Sequence, residues 1–217
     1  MLAYARPAPY RNPEGLATFQ HYALGAGDPM TTTLTDIRRA IERTAQDVAP
    51  SADRRNAAVA LLLTPTLDLL LMQRAERDGD PWSGHVSLPG GHVDPTDASL
   101  IAAAIRETEE EIGVLVREDQ LLGRLHALDT LPNLPQLSIH PFVFAIEEPE
   151  QVRLNHEVQT LHRLSLPGFL QDEGRSTFEY DWRGTLVELP CVDFDGVRLW
   201  GLTLRIVDDL AQRLKSS

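Results

Sequence analysis

A single cysteine, Cys191, is all the chain carries, which excludes an intramolecular disulfide and a thiolate metal cluster built within one chain. A reducing compartment, the cytoplasm, suits such a sequence. Long apolar runs are missing too. The longest, residues 57–63, falls far short of the roughly 20 residues that a membrane-spanning helix needs. Residues 1–29 hold scattered Pro, Gly and Arg in place of the continuous apolar stretch of a secretory signal. Positive charge is scarce: 20 Lys and Arg against 32 Asp and Glu leave a formal net charge of −12. Such a balance repels nucleic-acid backbones and anionic membranes, so neither is expected as a partner. An anionic phosphate ligand is admitted only where bound cations stand between the two negative partners. Internal repeats, low-complexity tracts and interdomain linkers are absent from the sequence pattern.

What is present describes an ordinary globule. The chain has 217 residues, 42% hydrophobic and 24% charged, which suits one medium-sized domain. Residues 1–30 read as a loosely ordered extension, with Met30 an alternative start to Met1, and residues 31–217 as a single domain. Apolar spacing predicts a helix over residues 34–48, with Thr35 or Asp36 near its start, Ile37, Ile41 and Val48 on one stripe and Pro50 beyond its end. Residues 57–63 and 67–72 are apolar runs of strand length, joined by the turn chemistry of Thr64-Pro65-Thr66 into a hairpin. A long helix over residues 98–112 follows the Pro89-Gly90-Gly91 turn. Its face of Ala98, Ile101, Ile105, Thr108 and Ile112 is expected to dock through the isoleucines, and Gly113 stops it. Strands are predicted over residues 121–128 and 137–146, the second covered on both faces. A proline-rich loop over residues 130–136 separates them. A short segment at 164–170, two strands near 177–181 and 184–189, and an amphipathic helix over 200–214 complete the pattern. The fold class is α/β, one mixed sheet with helices on its faces.

Chemistry concentrates between Gly90 and Val114. Residues three and four apart on a helix are neighbours, so Glu107, Glu110 and Glu111 gather three carboxylates on a face about 140° from the isoleucine stripe. Only Arg106 stands near to offset their repulsion. Hard oxygen donors with uncompensated charge are what Mg²⁺ or Mn²⁺ relieves. A solvated acidic helix face is the plainer reading of three glutamates taken alone. The Gly90-Gly91 turn shifts the balance, because glycine allows the close backbone approach that a metal or phosphate site needs.

Arg106-Glu107-Thr108-Glu109-Glu110-Glu111-Ile112-Gly113 resembles the Nudix box, Arg-Glu-x-x-Glu-Glu-x-Gly, at every fixed position. The box usually carries a Gly and a Glu upstream, and the usual count from Arg106 lands on His92 and Ala98. Counted from Gly91, the acidic residue falls on Asp97, with one additional residue before Arg106. That lengthened form, with Gly84-His85-Val86-Ser87-Leu88-Pro89 ahead of it, residues 70–74 and Trp200-Gly201-Leu202-Thr203, is similar to the coenzyme A diphosphatase branch. The resemblance covers roughly residues 56–214. It departs at residues 76–82, where the loop is one residue longer and lacks the branch's second Arg, with Arg77 nearby in its place.

The resemblance implies a Nudix α/β/α sandwich and hydrolysis of a phosphoanhydride bond in a nucleoside-diphosphate-linked substrate. Glu107, Glu110 and Glu111, with the Gly91 carbonyl, would bind Mg²⁺ or Mn²⁺. Arg106 would pair with Asp97 across the loop-helix turn, with Gly90 and Gly113 shaping the motif. Glu110 or the distant Glu157 would serve as general base. His85, His156 and Trp82 are secondary candidates, for phosphate or for adenine. Coenzyme A or its thioesters, giving adenosine 3′,5′-bisphosphate and 4′-phosphopantetheine, is the first substrate reading. ADP-ribose, a sugar nucleotide or a dinucleotide is the second, and a non-catalytic nucleotide-binding module comes after both. The partner is a small nucleotide, and a homodimer is compatible with the sequence.

Overall fold

A computed structural model describes residues 32–44, 53–79, 82–130, 136–182 and 184–216. The expected extension over residues 1–30 and the predicted helix end at 45–48 lie outside the described residues. Ile37 and Ile41 are fully buried on helix α1 (Leu34–Thr44). Thr33 opens that helix, earlier than expected. Its hydroxyl accepts from the Asp36 N–H at 3.2 Å, while the Asp36 carboxylate accepts from the Thr33 N–H at 3.0 Å. This is a reciprocal cap that satisfies donors the helix itself leaves open.

The sheet grows from two strands. β1 (Arg55–Leu63) and β7 (Leu137–Ala145) run parallel along their whole length, from Arg55 opposite Leu137 to Leu63 opposite Ala145. Seven consecutive residues of β7 are buried, as a strand covered on both faces should be. β2 (Asp68–Arg74) forms the predicted hairpin with β1 only at Leu62 and Leu63. Beyond that point β1 is paired instead with the short β4 (Gly90–His92), which places Ala58 opposite Gly91 and Val59 opposite Gly90. β3 (Val86–Ser87) and β8 (Val158–Ser165) both pair with β2, and β5 (Leu121–Arg124) and β6 (Leu128–Asp129) with β7. Residues 121–128 thus form two strands, not one. Gly123, at φ +155, is where the register shifts, and a side chain there would strike Ile41 of α1.

Helices cover both faces, giving the expected α/β/α sandwich. One apolar layer joins Ile37 and Ile41 to Leu61, Leu71 and Val143, and to Ile206 and Leu210 of helix α4 (Gly201–Lys215). The other joins Ala58, Leu62, Leu70, Phe142 and Phe144 to helix α2 (Leu100–Ile112). After β8 the chain makes the short helix α3 (Leu166–Leu170). A separate antiparallel sheet follows, with β10 (Thr185–Phe194) between β9 (Arg175–Trp182) and β11 (Val197–Trp200). The sequence pattern had signalled neither β8 nor β11.

Helix α2 docks on a wider face than expected. Thr108 and Ile112 are buried and Ile101 and Ile105 pack half-buried against the same core, as predicted, but Ala103, Ala104 and Glu111 are buried too. Ala104, Thr108 and Glu111 stand at i, i+4 and i+7, one face of the helix. Two alanines let that face approach the sheet closely, and the Thr108 hydroxyl is satisfied by the Ala104 carbonyl at 2.7 Å. The same approach carries Glu111 inside.

Candidate active site

The glutamate helix is held at both ends. Ser99 caps its start by accepting from the Ala102 N–H at 3.1 Å, and Gly113 ends it in the left-handed region at φ +69, donating to the Glu109 carbonyl at 2.9 Å. Two further glycines bring the sheet against it. Gly90 has φ +143, and a side chain there would collide with the Ala58 carbonyl of β1. A Cβ at Gly91 would stand 2.6 Å from the Glu107 carboxyl. Only glycine fits such a passage. Through it the Gly90 N–H reaches Glu111 and donates to Oε2 at 2.8 Å.

The three glutamates therefore do not share one solvent face. They descend from surface to interior: the side chain of Glu110 is 56% exposed and that of Glu107 18%, and Glu111 is buried at 4%. Burial is the main force on the last two. It pushes the Glu111 carboxyl up to about 8, against the pull of the Gly90 N–H, with the Glu107 and Glu157 charges pushing further upward. The Glu107 carboxyl is also raised, first by burial, with Arg106 opposing.

Arg106 is the brace. Its Nε and Nη2 each donate to Asp97 at 2.9 Å, Nη2 also to the His92 carbonyl at 3.2 Å, and Nη1 to Glu107 at 3.0 Å and Glu110 at 3.1 Å. Two of the three glutamates thus have the positive partner that the sequence had left in doubt. The Arg106 guanidinium holds Asp97 below the usual carboxylate range, helped by the Asp94 N–H. A bidentate pair of this kind fixes direction as well as charge.

Glu157 is brought to the same neighbourhood by backbone. Asn155 donates to the Glu111 carbonyl and Arg153 to the Ile112 carbonyl, both at 2.9 Å, which ties residues 153–157 to the end of α2. The Glu157 carbonyl accepts from Ala75, just past β2, and its carboxylate faces Arg77 at 3.4 Å. Sequence reasoning named two arginines of this environment, Arg74 in the resemblance over residues 70–74 and Arg77 in the altered loop, but placed neither beside the glutamates. Arg74, closing β2, lowers the Glu111 pKa by its charge. Arg77 is engaged with Glu157. His156 is 81% exposed and Trp82 47%. Beside Glu110 the surface opens into a groove of about 620 Å³ lined by Leu115, Arg153 and Asn155 among others.

Among the described residues, no three carboxylate, imidazole or thiol groups close a metal cage by themselves. The donors nevertheless suit a hard divalent cation. They are carboxylate oxygens, and burial pushes the Glu111 carboxyl up to about 8, with the Glu107 and Glu157 charges adding to the shift, an effect that an arriving cation would oppose. No described helix is long and apolar enough to cross a membrane.

A sandwich with a double-glycine turn feeding a braced glutamate helix defines the Nudix class of hydrolase. Residues 53–177 match the NUDIX domain, and the chain belongs to this family. Among its relatives, the Nudix hydrolase NudL of Photorhabdus laumondii is 30% identical over 178 residues, 76% of this chain and 88% of NudL. NudL of Salmonella paratyphi B is 31% identical over 165 residues, 75% and 84% of the two chains. Two solved structures share the fold: the MutT protein of Methanosarcina mazei, with a TM-score of 0.50 at 20% identity, covering 76% of this chain and 97% of that one, and a MutT/nudix family protein of Enterococcus faecalis, with 0.51 at 19%, covering 86% and 75%. The chain is thus a Nudix hydrolase, of a family that acts on nucleoside diphosphate substrates and generally needs divalent cations such as Mg²⁺ or Mn²⁺.

Proposed function

We propose that the protein hydrolyses the phosphoanhydride bond of coenzyme A or its thioesters, giving adenosine 3′,5′-bisphosphate and 4′-phosphopantetheine. The observation that carries the diphosphate chemistry is the buried Glu111, joined to the Gly90 N–H and flanked on the same helix by Glu107 and Glu110; the coenzyme A preference rests on the resemblance of residues 84–97 and 200–203 to that branch. These three glutamates, with the Gly91 carbonyl, would hold Mg²⁺ or Mn²⁺. Such a cation, when bound, supplies neutralisation of the diphosphate charge and acidification of water. Arg106 positions Glu107 and Glu110 and locks the Asp97 turn, touching no substrate itself. Glu157 receives the proton of the attacking water, with Glu110 the alternative base.

One observation favours a second substrate class. Arg77, the cation nearest the place where the coenzyme A branch carries its second arginine, is paired with Glu157 at 3.4 Å. An arginine so engaged is poorly placed to take a 3′-phosphate, which fits ADP-ribose, a sugar nucleotide or a dinucleotide. A hydrolysis panel of coenzyme A, acetyl-coenzyme A, ADP-ribose, UDP-glucose and diadenosine diphosphate, each with Mg²⁺ and with Mn²⁺, separates the two. Cleavage of coenzyme A with the highest kcat/KM, abolished by Glu110→Gln, is the expected result. Efficient cleavage of ADP-ribose without coenzyme A turnover would move the protein to the second class.

A further inference from the structure

Helix α2 and the segment after β7 face each other across the groove beside Glu110. Glu109 and Glu110 stand on the helix side and Leu115 beyond its end, with Gln151, Arg153 and Asn155 opposite. Backbone holds the two walls together. The Arg153 N–H donates to the Ile112 carbonyl and the Asn155 N–H to the Glu111 carbonyl, both at 2.9 Å. A Cβ at Gly113 would stand 2.9 Å from the Arg153 Cβ, so the Arg153 stem leaves its backbone against position 113. That position is three residues on from Glu110, a neighbour on the helix surface. Arg153 and Glu110 thus rise from facing walls about one helical turn apart.

Arg153 is the one cation among the described lining residues. Among the described residues its guanidinium makes no hydrogen bond or ion pair. The arginines nearby are engaged: Arg106 holds Asp97, Glu107 and Glu110, and Arg77 holds Glu157. In a chain of 20 basic and 32 acidic residues, an arginine one turn from Glu110 that pairs with no carboxylate is set apart from a structural brace. Its planar fork presents donors that match two oxygens of a phosphate monoester. Glu110 on the opposite wall does not exclude such an anion, because Arg106 already offsets its charge and the divalent cation of the proposed reaction would do so further. Leu115, 72% exposed, gives the same groove an apolar flank for the carbon face of a sugar.

We infer that Arg153 holds a phosphate monoester on the ribose of the substrate, the 3′-phosphate of coenzyme A, while the diphosphate lies at Glu107, Glu110 and Glu111. One ribose separates these phosphates in adenosine 3′,5′-bisphosphate, a span that fits a groove reaching from Glu110 to Arg153. The inference rests on the coenzyme A reading above and supplies the cation that Arg77, engaged with Glu157, does not. Arg153 binds and orients; it transfers no proton.

Steady-state kinetics of the full chain with coenzyme A and 3′-dephospho-coenzyme A, in the presence of Mn²⁺, test it. The wild type prefers coenzyme A. In Arg153→Ala KM for coenzyme A rises about tenfold or more, KM for the dephospho compound moves less than twofold, and the preference disappears. Equal changes on both compounds, no change on either, or a wild type that does not distinguish them, overturn the inference. Arg153→Gln keeps the stem beside Gly113 and carries the test if Arg153→Ala does not fold. Calorimetric titration with adenosine 3′,5′-bisphosphate and with AMP separates this inference from the reading beneath it. Tighter binding of the bisphosphate by the wild type, lost in Arg153→Ala, in a protein that cleaves nothing in the panel, keeps the phosphate site and removes the diphosphatase. Cleavage of coenzyme A by a protein that binds the bisphosphate and AMP equally, with or without Arg153, does the reverse.

Discussion

Replacing Glu111 by Gln in metal-free protein isolates the energetic cost of its burial. Glutamine keeps a carbonyl oxygen for the Gly90 N–H but cannot ionise. In the wild type the folded-state pKa stands at about 8, raised from the ordinary 4.5 chiefly by burial. Between those two values the folded protein binds more protons than the unfolded chain, so stability is fully present below about pH 4.5 and falls as pH rises through 8. One pH unit is worth about 1.4 kcal/mol, so the loss across this window reaches about 5 kcal/mol at most. For a chain of this size that corresponds to a fall in Tm of about 10 to 20 °C. Thermal melts in EDTA at pH 5, 6, 7 and 8 measure it directly. The wild type is expected to lose stability steadily and Glu111→Gln to show a much flatter profile, and saturating Mn²⁺ should flatten the wild-type profile as well. A wild-type melting temperature that holds or climbs from pH 5 to 8 in EDTA, in parallel with the variant, would refute the assignment of a buried, protonated Glu111.

Other consequences follow from the same geometry. Gly90→Ala places a methyl group against the Ala58 carbonyl at a φ of +143 and should cost about 3 kcal/mol or more, read by urea denaturation; a change under 1 kcal/mol would contradict the tight passage. Asp97→Asn weakens the Arg106 brace and should loosen Mn²⁺ binding about tenfold or more, measured by calorimetry, while thermal stability falls far less. Ser99→Ala removes the helix cap and should destabilise by about 1 kcal/mol, with the metal affinity of the folded protein little altered.

Much of the sandwich was legible because its signals are local. The Ile37 and Ile41 stripe, the apolar run that became β7 and the glycine stop at Gly113 each depend on periodicity or on one residue's conformational range. Elements fixed by long-range pairing were less visible. β8 reads Val-Gln-Thr-Leu-His-Arg-Leu-Ser, too polar to announce a strand, and owes its place to its ladder with β2. β4 is three residues set by the glycines' fit against β1. The candidate site divides in the same way. Glu107, Glu110, Glu111, Arg106 and Asp97 stand within 15 residues and could be read as a motif, whereas the nearness of Arg74 and Glu157 to Glu111 depends on β2 and on the backbone bonds from residues 153 and 155 to the helix end.

The width of the face on which α2 docks decides what each glutamate can do. The isoleucines contribute, Ile112 fully buried and Ile101 and Ile105 at the margin, but a contact limited to their stripe would have left all three carboxylates in water near their ordinary acidity, held apart by repulsion worth a few tenths of a kcal/mol. Docking through Ala103 and Ala104 turns the helix so that Glu111 enters the sheet interface, Glu107 lies against Gly91 and Glu110 stays in solvent. A graded set results from three identical residues. The interior member is held by the Gly90 N–H, and the middle and outer members are both held by Arg106; in the proposed reaction the interior one would exchange its proton for a cation. Arg106, bonded to Asp97, Glu107 and Glu110 together, keeps that gradation in register with the turn, so its loss should disturb the middle and outer glutamates while leaving Glu111 anchored by the Gly90 N–H.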